Sequence, residues 1–234
     1  MSRGPSASKD AAAEVVGLAS KLDELYRGFA HRFDGVPEVT AQEVHSWVSE
    51  QSLRDPQQGQ GQGQGQEQAG PSGAPAVVLV DVRSHAEQQV SVLPGPTTLT
   101  QKQFEARGPE SFHGTKVVCY CTAGYRSGVY AAKLRRRHPH LQVYNMRGSI
   151  LAWTQAGLPL ADPRDGSHTR RVHVYSHDWA LQGDGYEPVV FRQPIMSLAL
   201  DAAGSAAQGL LRAVTGGRRR QQAQAQAHEQ EQAK

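Results

Sequence analysis

The chain has 234 residues, a net charge of +3 and basic clusters only as short runs at Arg135-Arg136-Arg137, Arg170-Arg171 and Arg218-Arg219-Arg220; with no basic stripe interleaved with stacking aromatics, nucleic-acid binding is disfavoured. Two cysteines two positions apart make no disulfide framework and fit a reducing compartment. No uninterrupted apolar run reaches the roughly 18 residues of a transmembrane helix, and the N-terminus has no apolar h-region, so the expected location is intracellular (cytoplasmic or organellar) and not secreted.

Val15, Leu18, Leu22, Leu25, Tyr26, Phe29 and Phe33 recur at three- and four-residue steps, which predicts an amphipathic helix between Ala11 and Phe33, closed by Asp34-Gly35 and Pro37. Its apolar stripe is expected to dock on the main domain or on a second copy of itself; the polar face mixes both charge signs, unlike a membrane-surface helix. Thr40 with Glu43 three positions later makes a capping box, opening a helix to about Ser52. Residues 55–75 turn abruptly to Gln, Gly, Pro and Ser, including a Gln-Gly alternation from Gln58 to Gln66, and are expected to form a disordered surface insertion inside one domain.

Strand-like and helix-like segments then alternate. Ala76–Val82 reads as a buried parallel strand, followed by a short helix over Ala86–Val90 and a turn at Leu93-Pro94-Gly95. A helix over Thr100–Arg107, a strand over Lys116–Cys121, a helix over Ser127–Arg137, a strand over Leu141–Asn145 and a helix over Ile150–Gln155 ending at Gly157 complete the pattern. Such alternation implies an open α/β sheet with its site at the carboxyl ends of the strands. Beyond Pro163, Arg171–Tyr175 and Val189–Phe191 read as two short strands or extended arms, Pro194–Val214 as an apolar helix, and the Gln- and Ala-rich tail from Gln221 as disordered. The organisation expected is an N-terminal helical extension (1–37), a central domain (38–163) and a C-terminal extension (164–234).

Cys119-Tyr120-Cys121-Thr122-Ala123-Gly124-Tyr125-Arg126-Ser127 follows the apolar Val117-Val118. This places Cys121 at a strand end, in a loop that runs into a helix near Arg126. Loop amides and a helix N-terminus present partial positive charge there and lower a thiol pKa from ~8.5 toward ~3.5–7.5. Cys119 reads as a small buried hydrophobe. Along an extended chain the two Cβ atoms stand about twice the ~3.3 Å rise apart, against the ~3.8 Å a disulfide requires, so no bond is expected between them. The ten histidines, His138-Pro139-His140 among them, show no metal-ligand spacing and are expected on the surface.

Four blocks in order resemble the rhodanese homology domain: Val78-Leu79-Val80-Asp81-Val82-Arg83, Leu93-Pro94-Gly95, Cys121 to Ser127, and Arg147-Gly148-Ser149-Ile150-Leu151-Ala152-Trp153 continuing to Ala156-Gly157-Leu158-Pro159. The resemblance covers about half the chain, roughly Val39 to Pro163. It implies an open parallel five-stranded sheet flanked by helices, with a helical N-terminal and an irregular C-terminal extension. It further implies a single-domain sulfurtransferase that needs no cofactor or metal. Cys121 would take a sulfane sulfur from a donor such as thiosulfate, hold it as a persulfide and pass it to a thiol or cyanide-like acceptor. Amides from Thr122, Ala123, Gly124, Tyr125, Arg126 and Ser127 would cradle the sulfur. Gly124 would allow the sharp curl, Arg126 would close the loop or face an anionic donor, and Ser127 would donate its hydroxyl. Asp81 and Arg83 would brace the loop, Arg83 being spaced to pair with Glu87, and Trp153 would be core. Thr122 departs from the cationic residue that some thiosulfate-using members carry after the cysteine, which leaves the donor open.

Two other classes compete. Cysteine-dependent phosphatases place five residues between Cys and Arg; here four separate Cys121 from Arg126 and six separate Cys119 from it. A non-catalytic or regulatory interaction module is the other, with a protein partner recruited through the terminal extensions.

Overall fold

A computed structural model describes residues 6–54, 77–95 and 97–191. The insertion expected at 55–75, the helix expected at Pro194–Val214 and the Gln/Ala tail lie outside the described residues. Five parallel strands form the main sheet: β1 (Glu38–Val39), β2 (Val77–Asp81), β3 (Thr98–Thr100), β4 (Lys116–Tyr120) and β5 (Gln142–Met146), ordered β1-β5-β4-β2-β3. β4 is central, with Val80 opposite Cys119 on one side and Cys119 opposite Asn145 on the other. This is the α/β sheet the alternation implied. β1 and β3 are too short for a periodicity signal, and Thr100, read as the start of a helix, ends β3 and caps the helix after it.

Helices cover both faces, so β2 is buried along its whole length and reads as continuous Val and Leu. Side chains alternate between two cores. Val78, Val80, Val117, Cys119 and Val143 pack with Tyr26, Phe33, Tyr130, Ala131 and Leu134. Val77, Leu79, Val118, Tyr120 and Met146 pack with Val44, Val48, Ile150 and Trp153 on the other face. Trp153 is core, as expected, and its indole N–H donates to the Pro159 carbonyl.

The flanking helices are α1 (Ser6–Ala30), α2 (Ala41–Arg54), α3 (His85–Gln88), α4 (Gln101–Arg107), α5 (Tyr125–Arg137) and α6 (Ser149–Gln155). The Thr40–Glu43 capping box is present at α2: the Thr40 amide donates to Glu43 and the Glu43 amide to Thr40 Oγ1. The stripe of α1 docks on its own domain: Leu22 and Tyr26 are buried, as is Phe33 in a short 3-10 turn just beyond the helix. At about 1.5–3 kcal/mol for each such side chain, this burial holds the extension in place.

After α6 the chain makes a small antiparallel pair, β6 (Leu160–Ala161) with β7 (His168–Thr169), then β8 (Arg171–His173) parallel to β9 (Glu187–Val189). The two arms read near 171–175 and 189–191 are therefore partners, and the segment between them returns to the carboxyl end of the main sheet.

Candidate active site

β4 ends at Tyr120 and α5 begins at Tyr125, leaving Cys121, Thr122, Ala123 and Gly124 as the connecting loop. Gly124 turns the chain with φ +102°, and a Cβ there would stand 2.6 Å from Tyr26 Cε2, so the site requires glycine twice over. The curl brings the Gly124 amide to 3.1 Å and the Ser127 hydroxyl to 3.5 Å from Cys121 Sγ, both as donors. Burial by itself would raise the Cys121 thiol; the Arg126 charge, the Ser127 hydroxyl and amide and the Gly124 amide outweigh it, and its pKa lies below the ordinary value. Burial pushes the Cys119 thiol well up, with Cys121 adding to the effect. Both cysteines are free thiols.

Arg126 places Nη1 and Nη2 on the two oxygens of Glu87, at 2.8 and 2.6 Å. Glu87 is held from its own side by a capping box, accepting from the Ser84 amide and hydroxyl at 3.0 and 2.8 Å, and it also accepts from Thr122 Oγ1 at 3.2 Å. The Arg83–Glu87 pairing expected from spacing is therefore absent. Arg83 lies two residues beyond β2, where its guanidinium folds back onto Asp81 at 2.6–3.2 Å and reaches the Ser91 carbonyl at 2.7 Å. Asp81 and Arg83 thus form a buried pair of their own, while Glu87 goes to Arg126.

The start of α6 clamps the loop from the other side. The Cys121 amide donates to Ser149 Oγ at 3.0 Å, the Ile150 amide to the Cys121 carbonyl and the Leu151 amide to the Thr122 carbonyl, both at 3.2 Å. Asn145 on β5 adds a bond from Nδ2 to the Gly124 carbonyl at 3.1 Å and a second to the Tyr26 hydroxyl.

Both terminal extensions close over this arrangement. Leu22 of α1, Ala123 of the loop, Leu151 of α6, and Val174 and Leu181 beyond β8 form one apolar cluster, and Cys121 is left 2 % exposed. The segment is pinned to α6 by Gln155 Nε2 on the Leu181 carbonyl at 2.7 Å and by the Gly183 amide on Thr154 Oγ1 at 3.1 Å. His173 Nδ1 lies 3.3 Å from Glu87, and the Tyr175 ring centroid lies 5.2 Å from Arg126 Cζ. His173 is buried, against the expectation that the histidines lie on the surface, because β8–β9 pairing carries it under the extension.

Of the predicted cradle, Gly124 and Ser127 meet the sulfur. The Thr122 side chain faces Glu87, Ala123 joins the apolar cluster, and Tyr125 packs edge-on against Phe29 of α1 with centroids 5.4 Å apart. Sequence reasoning placed Tyr26 in the helical stripe and Ser149 in the fourth block, but gave neither of them, nor His173 or Tyr175, a role at the site. The one local signal overlooked was Ser84-x-x-Glu87, a capping box of the same kind as Thr40-x-x-Glu43. Among the described residues no group of three or more His, Cys, Asp or Glu is disposed to hold a metal ion, and no helix is long and apolar enough to cross a membrane.

The fold and site define an α/β domain with an open parallel sheet and one buried cysteine held in the loop beyond its central strand. Residues 66–156 match the model of the rhodanese-like domain. A sulfurtransferase of Allochromatium vinosum is 36% identical over 87 residues, covering 37% of this chain and 80% of that protein. The chain belongs to the rhodanese-like domain family. An uncharacterized Synechocystis protein is 29% identical over 110 residues, spanning 46% of this chain and 61% of its own length. The crystal structure of a thiosulfate sulfurtransferase from Pseudomonas aeruginosa is similar with a TM-score of 0.40 at 17% identity, over 61% of this chain and 24% of that one.

Proposed function

We propose that this protein is a sulfurtransferase in which Cys121 carries the sulfur. The observation that carries the reading is the pair of donors on Cys121 Sγ, the Gly124 amide and the Ser127 hydroxyl, beside the Arg126 charge. The thiolate attacks the outer sulfur of thiosulfate or a related sulfane donor. An S–S bond forms to Sγ, the donor's own bond to that sulfur breaks, and the rest of the donor (sulfite, for thiosulfate) leaves with the electron pair. A nucleophilic acceptor then attacks the terminal sulfur, and Cys121 departs as thiolate. The same donors that favour the thiolate favour negative charge on the terminal sulfur. Arg126, its two terminal nitrogens committed to Glu87, acts by holding the loop and supplying field, not by gripping the donor.

Incubation with thiosulfate and then cyanide should yield thiocyanate, with one sulfur retained on the protein by intact mass before cyanide is added. Mercaptopyruvate is to be tried as a second donor, because Thr122 supplies no cation beside the cysteine. Wild-type turnover no greater than that of Cys121→Ser, with no trapped sulfur from either donor, rejects the reading. Turnover of an aryl phosphate would indicate a phosphatase instead.

The closure over Cys121 favours a second reading, a regulatory or non-catalytic module whose partner engages the terminal extensions. Pull-down with and without residues 164–234, alongside the assay, separates the two.

A further inference from the structure

Ser149 is the single non-glycine residue with positive φ among the described residues, at +49°. That region crowds the Cβ of an L-residue against its own carbonyl, and glycine is the residue that occupies it without strain. Ser149 follows Gly148, itself left-handed at φ +65°, so two successive residues turn the chain from β5 into α6. Open space does not explain the side chain, since Ser149 is fully buried. Its hydroxyl does: Oγ accepts the Cys121 amide at 3.0 Å, donates to the Met146 carbonyl at 3.1 Å, and stands 3.4 Å from Ser127 Oγ and 3.9 Å from Cys121 Sγ.

We propose that Ser149 is the positioning residue of the nucleophile, kept in a strained conformation because its hydroxyl anchors the main chain of Cys121 and completes the hydroxyl pair behind the sulfur. Cys121 lies one residue past the last residue of β4, and its buried amide needs an acceptor from outside that strand. Ser149 supplies that acceptor. With the Ile150 and Leu151 amides on the next two carbonyls, it fixes Cys121 at the point where the Gly124 amide and the Ser127 hydroxyl both reach Sγ. A glycine would relax the turn and lose the anchor; an alanine would lose the anchor and keep the strain. Strain retained at a functional residue is the pattern expected where geometry serves chemistry over stability.

This rests on Cys121 being the nucleophile, and the test reads the thiol itself. Thiolate absorbance in the ultraviolet is titrated for wild type, Ser149→Gly and Ser149→Ala, with Cys121→Ser subtracted. The half-titration pH should rise by about 0.5–1 unit in both variants, the size expected for loosened hydrogen bonding to a charged group. Ser149→Gly should melt above Ser149→Ala. An unchanged titration in both variants overturns the proposal, since a merely structural serine would move only the melting temperature; so does Ser149→Gly melting below Ser149→Ala. Should Ser149→Ala fail to fold, the Ser149→Gly titration decides by itself. Wild type that never acquires sulfur while the titration still shifts rejects the sulfur-carrier reading and supports this role for Ser149.

Discussion

Arg126 and Glu87, 39 positions apart, close the Cys121 loop as a two-pronged ion pair at 2.8 and 2.6 Å, with Glu87 only 1 % exposed. Removing one partner of such a pair leaves an uncompensated charge in the interior. Glu87→Gln should therefore cost about 3 kcal/mol of stability, measured by urea unfolding.

The same pair sets an acid limit. Burial pushes the Glu87 carboxyl up, but the hydrogen bonds and charge of Arg126, the neighbouring His173 ring and the Ser84 amide overcome this and hold it well below the carboxylate range. Because the folded pKa is depressed, this stabilisation is complete above the unfolded value of ~4.3 and drains away as pH falls below it. Melting temperature should drop on acidification below that value, and Glu87→Gln should flatten the drop.

For Cys121 the depressed pKa favours the thiolate, and the Ser127 hydroxyl is one of its causes. Ser127→Ala should shift the pH profile of sulfur loading upward by about one unit. Loading measured at high pH, where the thiol is ionised in either protein, should be nearly restored.

Gly128 lies in α5, where replacing glycine by alanine ordinarily gains about 1 kcal/mol of helix propensity. A Cβ here would stand 2.6 Å from three ring carbons of Phe33, a rigid side chain at the end of the docked extension. Overpacking of about 1–3 kcal/mol should win over propensity, so Gly128→Ala should lower the melting temperature.

The apolar cluster over Cys121 should act as a size filter. Leu181→Ala removes part of its cover and lowers the cost of opening the segment without touching the loop's hydrogen bonds. Alkylation of Cys121 by a bulky maleimide should accelerate about tenfold or more, and by iodoacetamide much less. Equal acceleration for both reagents would count against the filter.

Which features were legible in the sequence follows from how local their causes are. The Val- and Leu-rich runs of β2 and β4, the capping box at Thr40 and the stripe of α1 each arise from neighbours within a turn or a strand. The Cys121–Arg126 spacing fixes the curl of one short loop, and its glycine follows from the backbone angle there. β1 and β3, at two and three residues, carry too little pattern to read. The Arg83–Glu87 expectation used helix spacing where the chain is still leaving a strand, and it took no account of a competitor 39 residues later.

By itself the sequence determined the alternating α/β order and the loop that follows Cys121, because periodicity, capping and turn chemistry act over a few residues. Only the tertiary structure decided that Glu87 belongs to Arg126, that Ser149 stands behind Cys121, and that α1 and the segment after β8 cover the sulfur. Those contacts join residues 28 to 119 positions apart, as between Cys121 and Ser149 or Tyr26 and Asn145. Partners at such separations are selected by the packing of the whole sheet, and no local pattern in the chain records the choice.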